Sequence, residues 1–420
     1  MVKKTNAWLW IPSLYFASGL PYHAITSISD IMYKDMGISN TSIALYTSIL
    51  LIPWTIKPLW SPFVEMMSTR RKWTLYSQLL LALCFAAVAL AVPSGNFLLL
   101  TLAAFMVGAF VSSTHDIALD GFYIIALPED KQAFFSGIRN TFYRIATVFS
   151  SGILVMLANK LGHHLGSDTL AWSATFATTA LIMAALFIYH RKAMPEPDKD
   201  IARNPKTKEI FGNFRDIIKT YFQKPGIWSA VTFLLLFRFP EAQLGKIGKL
   251  FLMDSAAAGG LALDKGDIGF LNGVIGVAGL IIGGIAGGIC ISRKGLKYWL
   301  WPMVVAISLP DIVYVYMSMV LPEDLTIVGS CIFIEQLGYG FGFTAYTLYM
   351  IYFAQGKYPT AHFAISTAFM SLGMMLPGMI SGKIQEWLGY ENFFIWVMLC
   401  TAITFIVSAI IKIDPNFGRK

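Results

Sequence analysis

Apolar residues run along this chain in long blocks, most of them 20–30 residues, divided by short polar stretches. About 20 apolar residues cross a bilayer as a helix. Twelve blocks meet that length, at 7–33, 42–66, 73–93, 96–126, 132–159, 170–190, 226–253, 267–291, 298–320, 325–353, 361–383 and 390–412. They leave no stretch for a soluble domain of any size. The pattern predicts an all-α integral membrane protein with twelve transmembrane helices. The longest connection follows span six. It divides the chain into a six-helix bundle over 1–190, a linker over 191–224 and a second six-helix bundle over 225–420. Basic clusters after span two (STRRKW, 68–73) and after span eight (SRKGLKYW, 292–299) echo each other, as two pseudo-symmetric halves would.

Composition agrees with lipid as the solvent. Hydrophobic residues make up 56% of the chain and charged ones 13%, against about 25% charged in soluble domains. The net charge of +8 comes from 32 basic and 24 acidic residues. On a soluble protein it would suggest nucleic acid; here its placement matters more. One set of connections carries 22 Lys and Arg, and the opposite set carries four, Lys34, Lys160, Lys265 and Lys383. The positive-inside rule then puts both termini and the linker in the cytoplasm. The N-terminal MVKKTNAWLW enters the first span with no small-residue cleavage site, and is expected to be an uncleaved helix start. Cys84, Cys290, Cys331 and Cys400 fall in apolar blocks without a pairing pattern and read as small buried residues.

The remaining charges lie inside the spans. They are the basic Lys57, Arg139, Arg144, Arg238, Lys246 and Lys249, and acids that include Asp116, Asp120, Glu241, Asp311 and Glu335. Each is expensive in hydrocarbon, by about 2.5–3.5 kcal/mol on insertion scales, so each should pair or line water. HDIALDG (115–121) puts Asp116 and Asp120 on one face of span four at i, i+4 spacing. At 1.5 Å per residue they lie roughly 15 and 9 Å from the cytoplasmic end of that span. Span five returns antiparallel and brings Arg139 and Arg144 to roughly 11 and 18 Å. Asp120 is therefore level with Arg139, and Asp116 with Arg144, with Lys57 at similar depth. A carboxylate that alternates between an ion pair and a proton suits proton coupling. A static ion-pair cluster that fixes helix register or braces a gate is the other reading.

In span seven, FRFPEAQLGKIGKLF (237–251) carries Pro240, which breaks or kinks a helix near its middle. A broken helix at mid-membrane lines a cavity. Arg238 and Glu241 flank the break; they pair with each other, or Arg238 faces an anionic substrate or an acid of the other half. Span ten (CIFIEQLGYGFGFTAYTLYM, 331–350) adds Glu335 near the midplane, with Gln336, Tyr339, Thr344 and Tyr346. The glycines of GVAGLIIGGIAGGIC (276–290) form a small-residue packing face. Tyr15, Tyr22 and His23 sit around a Gly-Leu-Pro break in span one. With Trp54, Trp60, Tyr123 and Tyr143 they supply ring faces and donors suited to sugars, or simply to packing.

These segments resemble the AmpG muropeptide permeases, in the peptide–acetyl-coenzyme A–drug transporter branch of the major facilitator superfamily. KPLWSPFVE (57–65) with RRKW (70–73) is similar to that family's span-two ending and gate motif, Glu65, Arg70 and Arg71 here, with Glu65 where the family usually has Asp. HDIALDGF (115–122), LPEDKQAFFSG (127–137) and YR (143–144) resemble its span-four and span-five signature, His115 replacing a common Gln. LFRFPEA (236–242) resembles its span-seven segment, with Arg238 and Glu241 in place of Lys and Asp. FIEQLGYGFGFTA (333–345) and YPTAHFAISTAFMSLG (358–373) resemble spans ten and eleven. The resemblance covers nearly the whole chain. It implies the superfamily fold and proton-driven import of anhydro-sugar muropeptides across a Gram-negative inner membrane. It implies Asp116 and Asp120 as coupling carboxylates, and Lys57, Arg144, Arg238 and Glu335 as substrate or gate residues.

The expected function is a secondary transporter working by alternating access, its substrate a sugar–peptide conjugate or other organic anion. Arg139, Glu241, Gln336, Tyr22, Tyr123 and Tyr143 complete the candidate substrate or gating set. The alternatives are an acetyl-coenzyme A, oligosaccharide or peptide transporter of the same superfamily, importing or exporting, or a receptor or flippase on this fold. An enzyme is not expected: there is no H-E-x-x-H, no Walker loop and no clustered histidines. His163 and His164 lie in an external loop, and His190 and His362 stand isolated. No metal or cofactor is implied, no nucleic acid is expected, and a monomer in the bilayer suffices.

Overall fold

The computed structural model describes residues 6–127, 129–197, 200 and 207–418. Its regular structure is helical among those residues. Nine helical segments are long and apolar enough to cross a membrane. One of them, Pro359–Ile410, is two helices joined at Gly389, whose φ of +74° is a left-handed turn that favours glycine. Counting it as two, and adding the bent segments 11–35 and 227–253, gives the twelve expected spans. The others are 40–67, Arg70–Ala91, Phe97–Ala126, 129–165, Asp168–Ala193, Lys265–Lys294, Leu296–Val320 and Leu325–Ala354. A linker helix occupies Thr207–Phe222.

Backbone contacts divide the chain into two compact units. One is Met1–Met36 with Ile56–Ile210, the other Gly37–Thr55 with Phe211–Lys420. Trp10, Leu14, Leu119 and Phe122 anchor a core in the first. In the second, Phe233, Phe237, Tyr346 and Tyr349 form an aromatic core, with Phe237 stacked on Tyr346 at 5.1 Å.

The expected break in span one is corrected. The helix runs through Gly19 and Pro21, then widens into a π-helical turn at Ala24–Ile28. Pro21 removes one backbone donor without ending the helix. Gly19 has a different use. A β-carbon there would lie 2.8 Å from the Ala146 methyl group and 3.0 Å from the Tyr143 carbonyl, so glycine lets spans one and five touch.

The expected break in span seven is present. The helices Ile227–Leu236 and Phe239–Met253 meet at Arg238, whose φ and ψ of −99° and 17° are non-helical. Carbonyls near the break are met by side chains. Leu234 accepts from the Tyr346 hydroxyl at 2.6 Å, and Phe237 from the Thr404 hydroxyl at 2.9 Å. In an apolar medium such groups need internal partners.

The glycine face of span eight packs on span ten. A β-carbon at Gly283 would sit 2.1 Å from the Leu337 carbonyl oxygen, and one at Gly340 would sit 2.2 Å from that of Leu280. Backbone lies directly on backbone, as small-residue interfaces allow.

Candidate functional site

In the first unit the span-four acids face hydroxyls and an arginine. Asp116, half-buried, accepts from Ser18 Oγ of span one at 2.6 Å. Asp120 lies one turn further on. Arg139 Nη2 is 3.6 Å from its Oδ1, and the Tyr15 hydroxyl donates to the same oxygen at 3.3 Å. The depth argument that put Asp120 level with Arg139 therefore finds a matching ion pair. The Arg139 guanidinium lies over two rings, 4.9 Å from the centroid of Tyr15 and 5.2 Å from that of Tyr123. Tyr15 and Tyr123 meet edge to face at 6.0 Å. The arrangement is a cation on an aromatic floor with a carboxylate beside it, half open to solvent.

Tyr22, His23 and Tyr143 form a row along spans one and five. Tyr22 and His23 rings are 5.1 Å apart, His23 and Tyr143 5.8 Å, and His23 Nε2 shares a hydrogen bond with Thr147 Oγ1 at 2.7 Å. Arg144 follows Tyr143 and is half-buried. Lys57 is half-buried within electrostatic reach of His115.

His115 and His190 are fully buried and joined through Gln78. His190 Nδ1 bonds Gln78 Oε1 at 2.9 Å, Gln78 Nε2 lies 3.1 Å from His115 Nε2, and His190 Nε2 bonds Ser13 Oγ at 2.9 Å. His190 is thus no isolated residue. His163 and His164 fall in the last helical turn of span five, not in a loop. No sequence spacing announces the Gln78 bridge, because its members lie on four different spans.

Asp200 of the linker spans the start of span three. Its oxygens accept the backbone N–H of Arg70 at 2.8 Å and of Arg71 at 2.9 Å. A carboxylate there satisfies free amide donors and complements the helix dipole. Arg71 pairs with Glu196 at 3.0 Å and donates to the Arg191 carbonyl at 2.9 Å. The Arg70 side chain lies across Gly121, where a β-carbon would come within 2.5 Å of its Nε. The Glu65 side chain lies outside the described residues.

In the second unit Arg238 and Glu241 pair with each other. Arg238 Nε donates to Glu241 Oε2 at 2.7 Å and Nη2 to Oε1 at 3.0 Å, while Nη2 also meets the Tyr339 hydroxyl at 2.6 Å. The guanidinium covers Phe343 at 4.8 Å. Glu335 is buried, and its Oε2 accepts from Gln336 Nε2 at 2.9 Å. Lys246 Nζ donates to Thr47 Oγ1 at 2.7 Å.

Charged and aromatic side chains held inside twelve spans define the class, a helical membrane transporter. The chain belongs to the major facilitator superfamily, whose profile matches residues 13–382. It is 26% identical to the anhydromuropeptide permease of Escherichia coli over 415 residues, covering 97% of this chain and 80% of that one. An uncharacterized protein of Haemophilus influenzae is 25% identical over 402 residues, covering 92% and 90%. Among solved structures, a bacterial homolog of the human lysosomal transporter Spinster superposes with a TM-score of 0.71 at 13% identity, covering 95% of this chain and 94% of that one. The D-xylose–proton symporter superposes with a TM-score of 0.69 at 11% identity, covering 98% of each. The resemblance to AmpG permeases read from spans two, four, seven and ten is thereby borne out.

Proposed function

We propose that this protein is a proton-coupled importer of anhydro-muropeptides or closely related sugar–peptide conjugates, and not an enzyme. It works by alternating access in the inner membrane, both termini in the cytoplasm, as a monomer. The observation that carries the reading is the span-four pair. Asp116 meets a hydroxyl, and Asp120 meets an arginine over two tyrosine rings. A carboxylate beside a cation and neutral donors can exchange its ion pair for a proton at modest energy. Tyrosine faces with hydroxyl donors suit sugar rings, and arginines suit carboxylates of a peptide stem. The name of the Escherichia coli relative supports the substrate class.

In the proposed cycle, substrate carboxylates engage Arg139, Arg144 or Lys57, and its sugars lie on Tyr22, Tyr123 and Tyr143. Protonation of Asp116 or Asp120 frees a cation and shifts the population toward the opposite-facing state. Arg238, Glu241, Glu335 and Gln336 contribute to binding or gating from the second half. Glu65, Arg70 and Arg71 close the cytoplasmic side.

The test is uptake of radiolabelled anhydro-muropeptide by proteoliposomes, with acetyl-coenzyme A and a plain disaccharide as competitors. Unlabelled muropeptide is expected to block uptake, and the other two to leave it unchanged. Block by acetyl-coenzyme A or by the disaccharide alone would move the substrate within the same fold.

A further inference from the structure

Span nine is interrupted by a single 3-10 turn, Leu309–Asp311, with Pro310 at its centre. Pro310 has no N–H, so the helix cannot run straight through it. The turn is pressed against span ten at Gly338. A β-carbon there would lie 2.2 Å from the Ala306 carbonyl oxygen and 2.7 Å from Pro310 Cγ. Asp311, next to Pro310, and Glu335, one helical turn before Gly338, are therefore brought together. Both are almost wholly buried, 3% and 5% exposed. Span seven closes the third side at Gly248, where a β-carbon would sit 3.0 Å from the Tyr314 ring.

The two acids differ in their partners. Glu335 Oε2 receives the Gln336 amide at 2.9 Å. Asp311 Oδ2 is fully buried and receives no hydrogen bond among the described residues. Glu335 and Glu241 both lie within electrostatic reach of Asp311. Tyr314 and Cys331 are further titratable groups near the two acids. Arg238, the arginine of span seven, already meets Glu241 through two hydrogen bonds. On the same helix Lys246 is directed to Thr47, and Lys249 is half-buried. From the 359–410 segment Phe394 approaches, its ring 5.2 Å from Tyr314. Among the described residues no three His, Cys, Asp or Glu side chains converge as metal ligands.

We infer that Asp311 and Glu335 form a proton-binding site in the second unit, with Asp311 holding a proton. A buried ionised carboxylate is tolerated only when paired and hydrogen-bonded; otherwise it neutralises. Two acids in one dry site do not both ionise. The bare oxygen of Asp311, with no donor to hold a charge there, selects it as the protonated member. The site is separate from Asp116 and Asp120, which belong to the first unit. Wetting the turn in another conformation would release the proton. That consequence rests on the transport reading, whereas the occupancy of the site does not.

Infrared difference spectroscopy of the full chain in lipid vesicles tests the occupancy without any substrate, so its outcome is independent of the uptake assay. Wild type minus Asp311→Asn is expected to show the C=O stretch of a protonated carboxyl at neutral pH, lost at alkaline pH. A carboxylate band in that difference overturns the assignment. So does a failure of Asp311→Asn to fold, judged by its size-exclusion profile, because asparagine copies the neutral acid in shape and lack of charge.

Discussion

Asp116→Asn is expected to abolish accumulation of substrate against its gradient while leaving exchange across the membrane largely intact. Accumulation should fall to the equilibrium level. The physical basis is the site's geometry. Asp116 receives the Ser18 hydroxyl at 2.6 Å, and an asparagine oxygen accepts the same bond. The substitution therefore removes the protonatable group while keeping that bond. Exchange needs only binding and reorientation of the loaded protein, whereas accumulation needs a proton carried with the substrate. Counterflow and gradient-driven uptake, measured on one preparation, separate the two. Equal loss of both would give Asp116 a structural role.

The second large effect is expected at the span-seven break. Arg238→Met should lower stability by about 3–5 kcal/mol, the range for removing one partner of a buried pair. The side chains of Arg238 and Glu241 are 9% and 15% exposed, so the stranded carboxylate would have little water to turn to. The double variant Arg238→Met with Glu241→Leu should recover most of that loss, because an apolar pair of similar volume replaces a buried ion pair at little or no cost. Thermal unfolding in detergent measures both. Transport should stay lost in the double variant if Arg238 also serves substrate. A single variant as stable as wild type would mean that the pair contributes nothing to the fold.

Several of these features were legible in the sequence because they depend on position along a helix. Rise per residue placed Asp120 level with Arg139, and their ion pair agrees with it. Pro240 announced the break at Arg238, and four-residue glycine spacing announced a packing face, which the structure sets against span ten. Rotation about the helix axis was not legible. Three π-helical turns, at Ala24–Ile28, Phe149–Leu154 and Leu271–Gly276, each add a residue to a turn. One extra residue rotates the rest of the helix by roughly 100°, so faces drawn with a constant period drift. Pro21 suggested a break where the helix persists, and Ser18 gave no hint that it meets Asp116. Gln78 joining His190, and Asp200 reaching Arg70 and Arg71, link residues more than a hundred apart in the chain. Nothing local in the sequence encodes them.

The most direct test of the account is proton movement during transport. Anhydro-muropeptide would be added outside weakly buffered proteoliposomes with no imposed gradient, and external pH recorded. The account predicts alkalinisation that tracks uptake in the wild type and is absent in Asp116→Asn. Uptake with no change of external pH would contradict proton coupling and leave the span-four acids as architecture.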